Sequence, residues 1–194
     1  GPNGAGKTSL LEAVSGLVRS YSGRIEVDGK EISKLNRRQR SRAGIVHVQQ
    51  GRAIFPSLTV RENLELASRD TDTFTRVLGY FPELEKRMSS ATALLSGGEQ
   101  QMVVLGRALM TQPKYLLIDE MSLGLAPVVF MRLLPVLQHV ADTGVGVVLV
   151  EQFAHLALGI SQDALVVSNG KVSYHGAPSV LLEDESRLQS ADMG

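Results

Sequence analysis

Two apolar runs stand out along the chain, Tyr115-Leu116-Leu117-Ile118 and Val145 to Val150. Uninterrupted apolar stretches of this length suit parallel strands covered on both faces. Between them, Val128 to Val140 carries its apolar positions at helical spacing, which completes a strand–helix–strand unit. Upstream, Leu10, Val14, Leu17 and Val18 recur at helical spacing with Leu11 beside them, predicting a helix packed on a core that ends near Ser22-Gly23. Arg24-Ile25-Glu26-Val27 alternates as a half-buried strand does, and Asp28-Gly29 after it marks a hairpin. Gly44 to Val48 reads as a short strand running into Gln49-Gln50. From Thr59 to about Ala93 the pattern turns helical and more polar, broken at Pro82, and reads as a helical insertion. Asn169-Gly170 predicts a last hairpin after Ala164–Val167. The expected fold class is α/β.

Composition narrows the functional classes. The 194 residues suffice for one sizeable core. Lys plus Arg and Asp plus Glu both total 20, so net charge is zero, which argues against a strongly electrostatic nucleic-acid binder. The absence of cysteine removes disulfides and thiolate metal sites and fits a reducing compartment. No apolar run approaches the ~20 residues that span a bilayer. The basic run Arg37-Arg38-Gln39-Arg40-Ser41-Arg42 reads as a solvated helix face.

Three motifs carry chemistry. Gly1-Pro2-Asn3-Gly4-Ala5-Gly6-Lys7-Thr8, followed by Ser9, has the spacing of a loop whose backbone amides cradle phosphates at a helix N-terminus. Lys7 is the expected charge partner of the β- and γ-phosphates of a nucleotide, and the Thr8 hydroxyl a ligand for Mg²⁺. The buried strand that usually leads into such a loop is missing ahead of Gly1, so the chain is expected to be a fragment that binds nucleotide weakly. The second motif is Leu116 to Glu120, an apolar strand ending in two carboxylates. Strand ends of open α/β sheets face the ligand, which makes Asp119 a metal ligand and Glu120 the group that polarises an attacking water. The third is Leu95-Ser96-Gly97-Gly98-Glu99-Gln100-Gln101. Ser96 and Glu99 form a capping box ahead of a helix bearing Met102, Leu105 and Leu109, and the adjacent glycines leave amides open to a second anion.

With these residues the chain resembles the ATP-binding subunits of ABC transporters, whose signature motif reads LSGGQ or LSGGEQ. That resemblance implies a P-loop NTPase (RecA-like) core, 1–50 and 94–194, lacking its first strands, with a helical subdomain at 51–93. It implies a head-to-tail pair of ATPase subunits in which Ser96, Gly97, Gly98 and Glu99 of one close on the nucleotide of the other. Gln50 matches the family's Q-loop, which senses the γ-phosphate and Mg²⁺. Gly51 to Val60, Ser122 to Pro127 and Val150-Glu151-Gln152 are similar to the branched-chain amino acid importers. The partners implied are two transmembrane permease subunits, a second and different ATPase subunit, and indirectly a substrate-binding protein, at the cytoplasmic face of the membrane.

Departures from the family pattern are few. Gln152 stands where most members carry a catalytic histidine; it can hydrogen-bond the γ-phosphate but carries no imidazolium charge. Phe153 replaces a common asparagine, Met121 the usual proline after Glu120, and Ala126 an aspartate. His155 reads as a helix-surface residue, and His47, His139 and His175 as structural or surface residues. Competing classes are a nucleotide-holding regulatory module with little turnover and a non-transport ABC ATPase; the coiled coils, zinc-binding cysteines or tandem cassettes of the latter are absent.

Overall fold

The structure, a computed structural model, describes residues 1–183; the stretch 184–194 of the expected core lies outside the described residues. Helix α1 (Lys7–Ser15) follows the glycine-rich loop, and hairpin β1 (Glu26–Val27) and β2 (Lys30–Glu31) closes at Asp28-Gly29, where both residues take positive φ. Helix α2 (Arg37–Arg42) leads to β3 (Ile45–Val48). Helices α3 (Val60–Glu65) and α4 (Thr71–Tyr80), with 3₁₀ turns at Pro82–Arg87 and Thr92–Leu94, fill the stretch expected to be helical. Then come α5 (Gly97–Met110), β4 (Tyr115–Asp119), α6 (Pro127–Asp142) and β5 (Gly146–Val150). The chain continues through α7 (Ala154–Leu158), hairpin β6 (Ala164–Ser168) and β7 (Lys171–Gly176), and α8 (Pro178–Glu183).

Strands β3, β4 and β5 form a parallel sheet in the order β3-β4-β5, with Val48 opposite Ile118 and Asp119 opposite Val150. The central position of β4 buries Leu116, Leu117 and Ile118 on both faces and delivers Asp119 and Glu120 to its carboxyl end. The main core lies on one face, between the sheet and α3, α4, α5 and α6, with Leu64, Phe81, Leu105 and Phe130 fully enclosed. Helix α5 is buried nearly all round, not on the single Met102–Leu105–Leu109 side. On the other face, Leu11 of α1 meets Ile32, Ile45 and Leu117.

Two expectations fail locally. Helix α1 stops at Ser15 because Gly16 takes a left-handed conformation, φ 78°, so Leu17 and Val18 leave the helical stripe. Leu10 and Val18 are 45% and 42% exposed, and Leu10 instead faces a groove of about 660 Å³ between β5 and β6, also lined by Val148 and Leu165. The basic run, in turn, is not wholly a solvated face. Arg40 is buried, and its guanidinium donates to the carbonyls of Ala13, Val14, Ser33 and Leu35. It thereby adds a donor to the Ala13 and Val14 carbonyls in the last turn of α1 and ties that helix end to the segment after β2.

Candidate nucleotide site

The loop Gly1–Gly6 is shaped by backbone requirements. Gly4 and Gly6 hold φ of 80° and 99°, a region that penalises any Cβ. Gly6 caps α1 without a side-chain hydrogen bond, so the first amides of the helix keep their capacity for an anion. Ala5 donates to the Pro2 carbonyl at 3.2 Å, and the hairpin residue Gly170 donates to Ala5 O at 2.9 Å, tying the loop to β6–β7. Lys7 Nζ folds over the loop and donates to Gly1 O at 2.6 Å and Pro2 O at 2.7 Å.

A pocket of about 140 Å³ is lined by Asn3, Gly4, Gly6, Lys7, Thr8, Ser9 and Glu120. The fold thus brings the phosphate loop opposite the carboxylate at the end of β4, residues more than a hundred positions apart. Glu120 sits at φ 46°, which costs a residue with a side chain about 1–3 kcal/mol and has to be held by its surroundings. Its amide donates to Val150 O at 2.8 Å, and its carboxylate accepts from Gln50 Nε2 at 2.9 Å. Met121, next in sequence, is 3% exposed and anchors this turn in the main core.

Asp119 is 1% exposed, and neither carboxylate oxygen has a hydrogen-bond partner. Two orphaned anionic oxygens in the interior are costly without a compensating cation. No group of three or more His, Cys, Asp or Glu among the described residues could hold a metal by itself. Asp119 is not among the residues lining the pocket around Lys7, but a carboxylate, the Thr8 hydroxyl and phosphate oxygens are together a donor set that would suit Mg²⁺. His47, on neighbouring β3, meets Ser15 Oγ through Nδ1 at 3.0 Å. Burial lowers its pKa, against the opposing pull of the Asp119 charge.

Ser96 caps α5 with both halves of the capping box formed: Glu99 N donates to Ser96 Oγ at 3.3 Å, and Ser96 N to Glu99 Oε2 at 2.8 Å. Those bonds, with Arg87 Nε at 3.0 Å, hold the Glu99 carboxyl below its ordinary range, the Ser96 backbone contributing most. The adjacent glycines also have intramolecular reasons. A Cβ on Gly97 would stand 2.8 Å from an Arg52 nitrogen, and one on Gly98 would stand 2.6 Å from a Val129 methyl. Ser96, Gly97, Gly98 and Glu99 do not line the pocket around Lys7, so one chain does not bring the two motifs together.

Gln152 lies exposed just past β5, also outside the lining of that pocket. Phe153 packs its ring 5.9 Å from that of Phe130, which accounts for an aromatic at that position. His155 is exposed on α7, as expected, while His139 packs on Tyr80 at 5.6 Å and His175 bonds Asp163 at 2.8 Å.

Sequence reasoning passed over Glu151. Its carboxylate accepts from Ser122 N at 3.2 Å and from the Ser122 hydroxyl, pinning the turn behind Glu120 to the end of β5. Burial raises its pKa, partly opposed by the hydrogen bonds from Ser122. A raised carboxyl pKa contributes stability that is complete below the unfolded-state value and is lost as pH climbs through the folded-state value. Glu151→Gln is therefore expected to gain stability relative to wild type as pH rises from the ordinary carboxylate range toward neutrality. Urea unfolding of both proteins across that range checks it; a difference independent of pH would refute the assignment.

The comparisons agree with this geometry. Residues 1–122 match the ABC transporter family. The high-affinity branched-chain amino acid transport ATP-binding protein BraG of Pseudomonas aeruginosa is 40% identical, over all of this chain and 85% of its own length. The probable branched-chain amino acid transport ATP-binding protein LivF of Archaeoglobus fulgidus is 35% identical, over 95% of this chain and 81% of its own. The lipopolysaccharide export system ATP-binding protein LptB of Escherichia coli is 33% identical, over 95% and 80%. A crystal structure of the ADP conformation of an ATP-binding cassette of an ABC transporter superposes with a TM-score of 0.85 at 23% identity, covering 97% of this chain and 84% of that one. A phosphate loop, a carboxylate-ended strand facing it, a capped glycine pair and relatives matched across the chain lead to one statement: this chain belongs to the ABC transporter family, as an ATP-binding subunit.

Proposed function

We propose that the chain is the MgATP-hydrolysing subunit of an importer for branched-chain amino acids. The single observation that carries the hydrolytic reading is the placement of the Glu120 carboxylate across a small pocket from the phosphate loop, with the unpaired Asp119 beside it in sequence. The 40% identity to BraG supports the cargo class.

The loop amides and the N-terminus of α1 hold the phosphates, and Lys7 exchanges the Gly1 and Pro2 carbonyls for the β- and γ-phosphate oxygens. Thr8, Asp119 and the amide oxygen of Gln50 would hold Mg²⁺. When bound, that ion would supply charge neutralisation at the transferring phosphoryl group. Glu120 orients and polarises the attacking water, and the Gln50 amide fixes the rotamer from which it does so. Ser96, Gly97 and Gly98 of a second ATPase subunit close over the γ-phosphate, Glu99 keeping their helix end capped. Gln152 donates to the same phosphate once the pair closes. Catalysis in this scheme is positioning plus electrostatics, so closure of the pair sets the rate. Two permease subunits receive the motion at the cytoplasmic face of the membrane, with a substrate-binding protein on the far side and a related chain as the second ATPase.

The position of Gln152 outside the pocket favours one other reading, a module that holds nucleotide with little turnover. Reconstitution with the permease subunits and the binding protein in vesicles separates the readings. ATP hydrolysis stimulated by a branched-chain amino acid supports import. Nucleotide binding without turnover supports the holding module, and stimulation by lipopolysaccharide in place of the amino acid would move the cargo to the class of the LptB relative.

A further inference from the structure

Arg52 lies two residues beyond Gln50 and reaches away from it. Its Nη2 donates to the carbonyl of Gly124 at 3.1 Å, and Nη1 lies 3.4 Å from Gln100 Oε1. The guanidinium lies across Gly97, where a Cβ would stand 2.8 Å from Nη2 and 3.1 Å from Cζ, and a Cβ on Gly124 would stand 3.4 Å from Nη2. Gln100 in turn donates to Thr92 O at 3.1 Å. Gly124 closes the turn that begins at Glu120, in which Leu123 N donates to Glu120 O at 3.2 Å. A single short loop therefore touches the Glu120 carboxylate through Gln50, and through Arg52 both the first turn of α5 and the turn behind Glu120.

We propose that Arg52 is a positioning residue, a clasp that fixes the N-terminal turn of α5, with Ser96, against the Glu120–Gly124 turn. Only a planar, forked cation spans the two acceptors while lying flat on a glycine; a lysine presents one point charge on a flexible stem. Gly97 is then as much a seat for Arg52 as a source of open amides. The clasp makes the end of α5 and the Glu120 turn move together, so that the half of the site each subunit lends and the half it keeps stay in register. This role rests on the MgATPase reading above.

The test compares Arg52→Ala and Arg52→Lys with wild type in the full-length protein, assembled with its membrane partners. Arg52→Ala is expected to lower kcat by roughly 10-fold, the scale of a small misplacement of reacting groups, and to leave KM for MgATP nearly unchanged because Lys7 and its loop are untouched. Amide hydrogen exchange is expected to quicken at 97–100 and 122–125 and nowhere else. Arg52→Lys is expected to recover less than half of the lost kcat. An unchanged kcat, a raised KM alone, full rescue by lysine, or faster exchange throughout the chain would each overturn the clasp. If wild type itself does not hydrolyse MgATP, the functional reading fails, and the exchange pattern alone still decides whether Arg52 couples the two turns.

Discussion

Lys7→Ala is expected to weaken MgATP binding by roughly 100-fold, about 3 kcal/mol, the scale of losing a charge-assisted contact at a phosphate. In the structure the ammonium is held by two neutral carbonyls, Gly1 O and Pro2 O, both in the loop itself. A phosphate oxygen is a better acceptor than a peptide carbonyl because it bears charge. Binding thus replaces two good hydrogen bonds with stronger ones, and alanine removes both sets. Fold stability should change little, since Lys7 is only half-buried and the main core lies on the far side of the sheet. Calorimetric titration with MgATP, alongside thermal melting, checks both halves. Unchanged affinity would mean that the loop amides alone supply the site.

The local and the periodic were legible from the sequence. The apolar run at 115–118 became a strand buried on both faces, where no alternation is needed. The run at 145–150 became its parallel neighbour at the end of the three-stranded sheet, with Val148 47% exposed, so its expected cover on both faces is not found. Asp28-Gly29 and Asn169-Gly170 became hairpins because both pairs adopt the positive φ such turns require. The Ser96–Glu99 capping box formed in full because its partners are three residues apart. Contacts set by tertiary register were not legible. Nothing in the basic run distinguishes Arg40, which turns inward to the end of α1, from its exposed neighbours. The stop of α1 at Gly16 removed Leu17 and Val18 from a stripe that periodicity alone extended. Arg52 and Glu151 went unnoticed because their partners, Gly124 and Ser122, are 72 and 29 residues away. The nearest sequence clue to Arg52 was the glycine pair after Ser96, whose first member is shaped by the arginine lying on it.

Glu120→Gln carries the other large effect: nucleotide retained, turnover lowered by about 1,000-fold. Glutamine keeps the size and the hydrogen-bonding edge that meets Gln50, so the strained turn at φ 46° and the pocket survive. What disappears is the negative charge that draws a proton from water, and general-base contributions of about 10²–10⁴-fold set the size of the loss. Asp119 and Lys7 remain, so affinity for MgATP is expected to stay within a few-fold of wild type. A loss of binding along with activity would instead mean that Glu120 shapes the site and does not serve the chemistry.

The most direct test of a hydrolytic site built from the phosphate loop and Glu120 is single-turnover hydrolysis of radiolabelled MgATP by the assembled transporter, wild type against Glu120→Gln. The account predicts that wild type releases phosphate within one turnover while the variant holds uncleaved ATP. Equal rates of cleavage in the two proteins would contradict it.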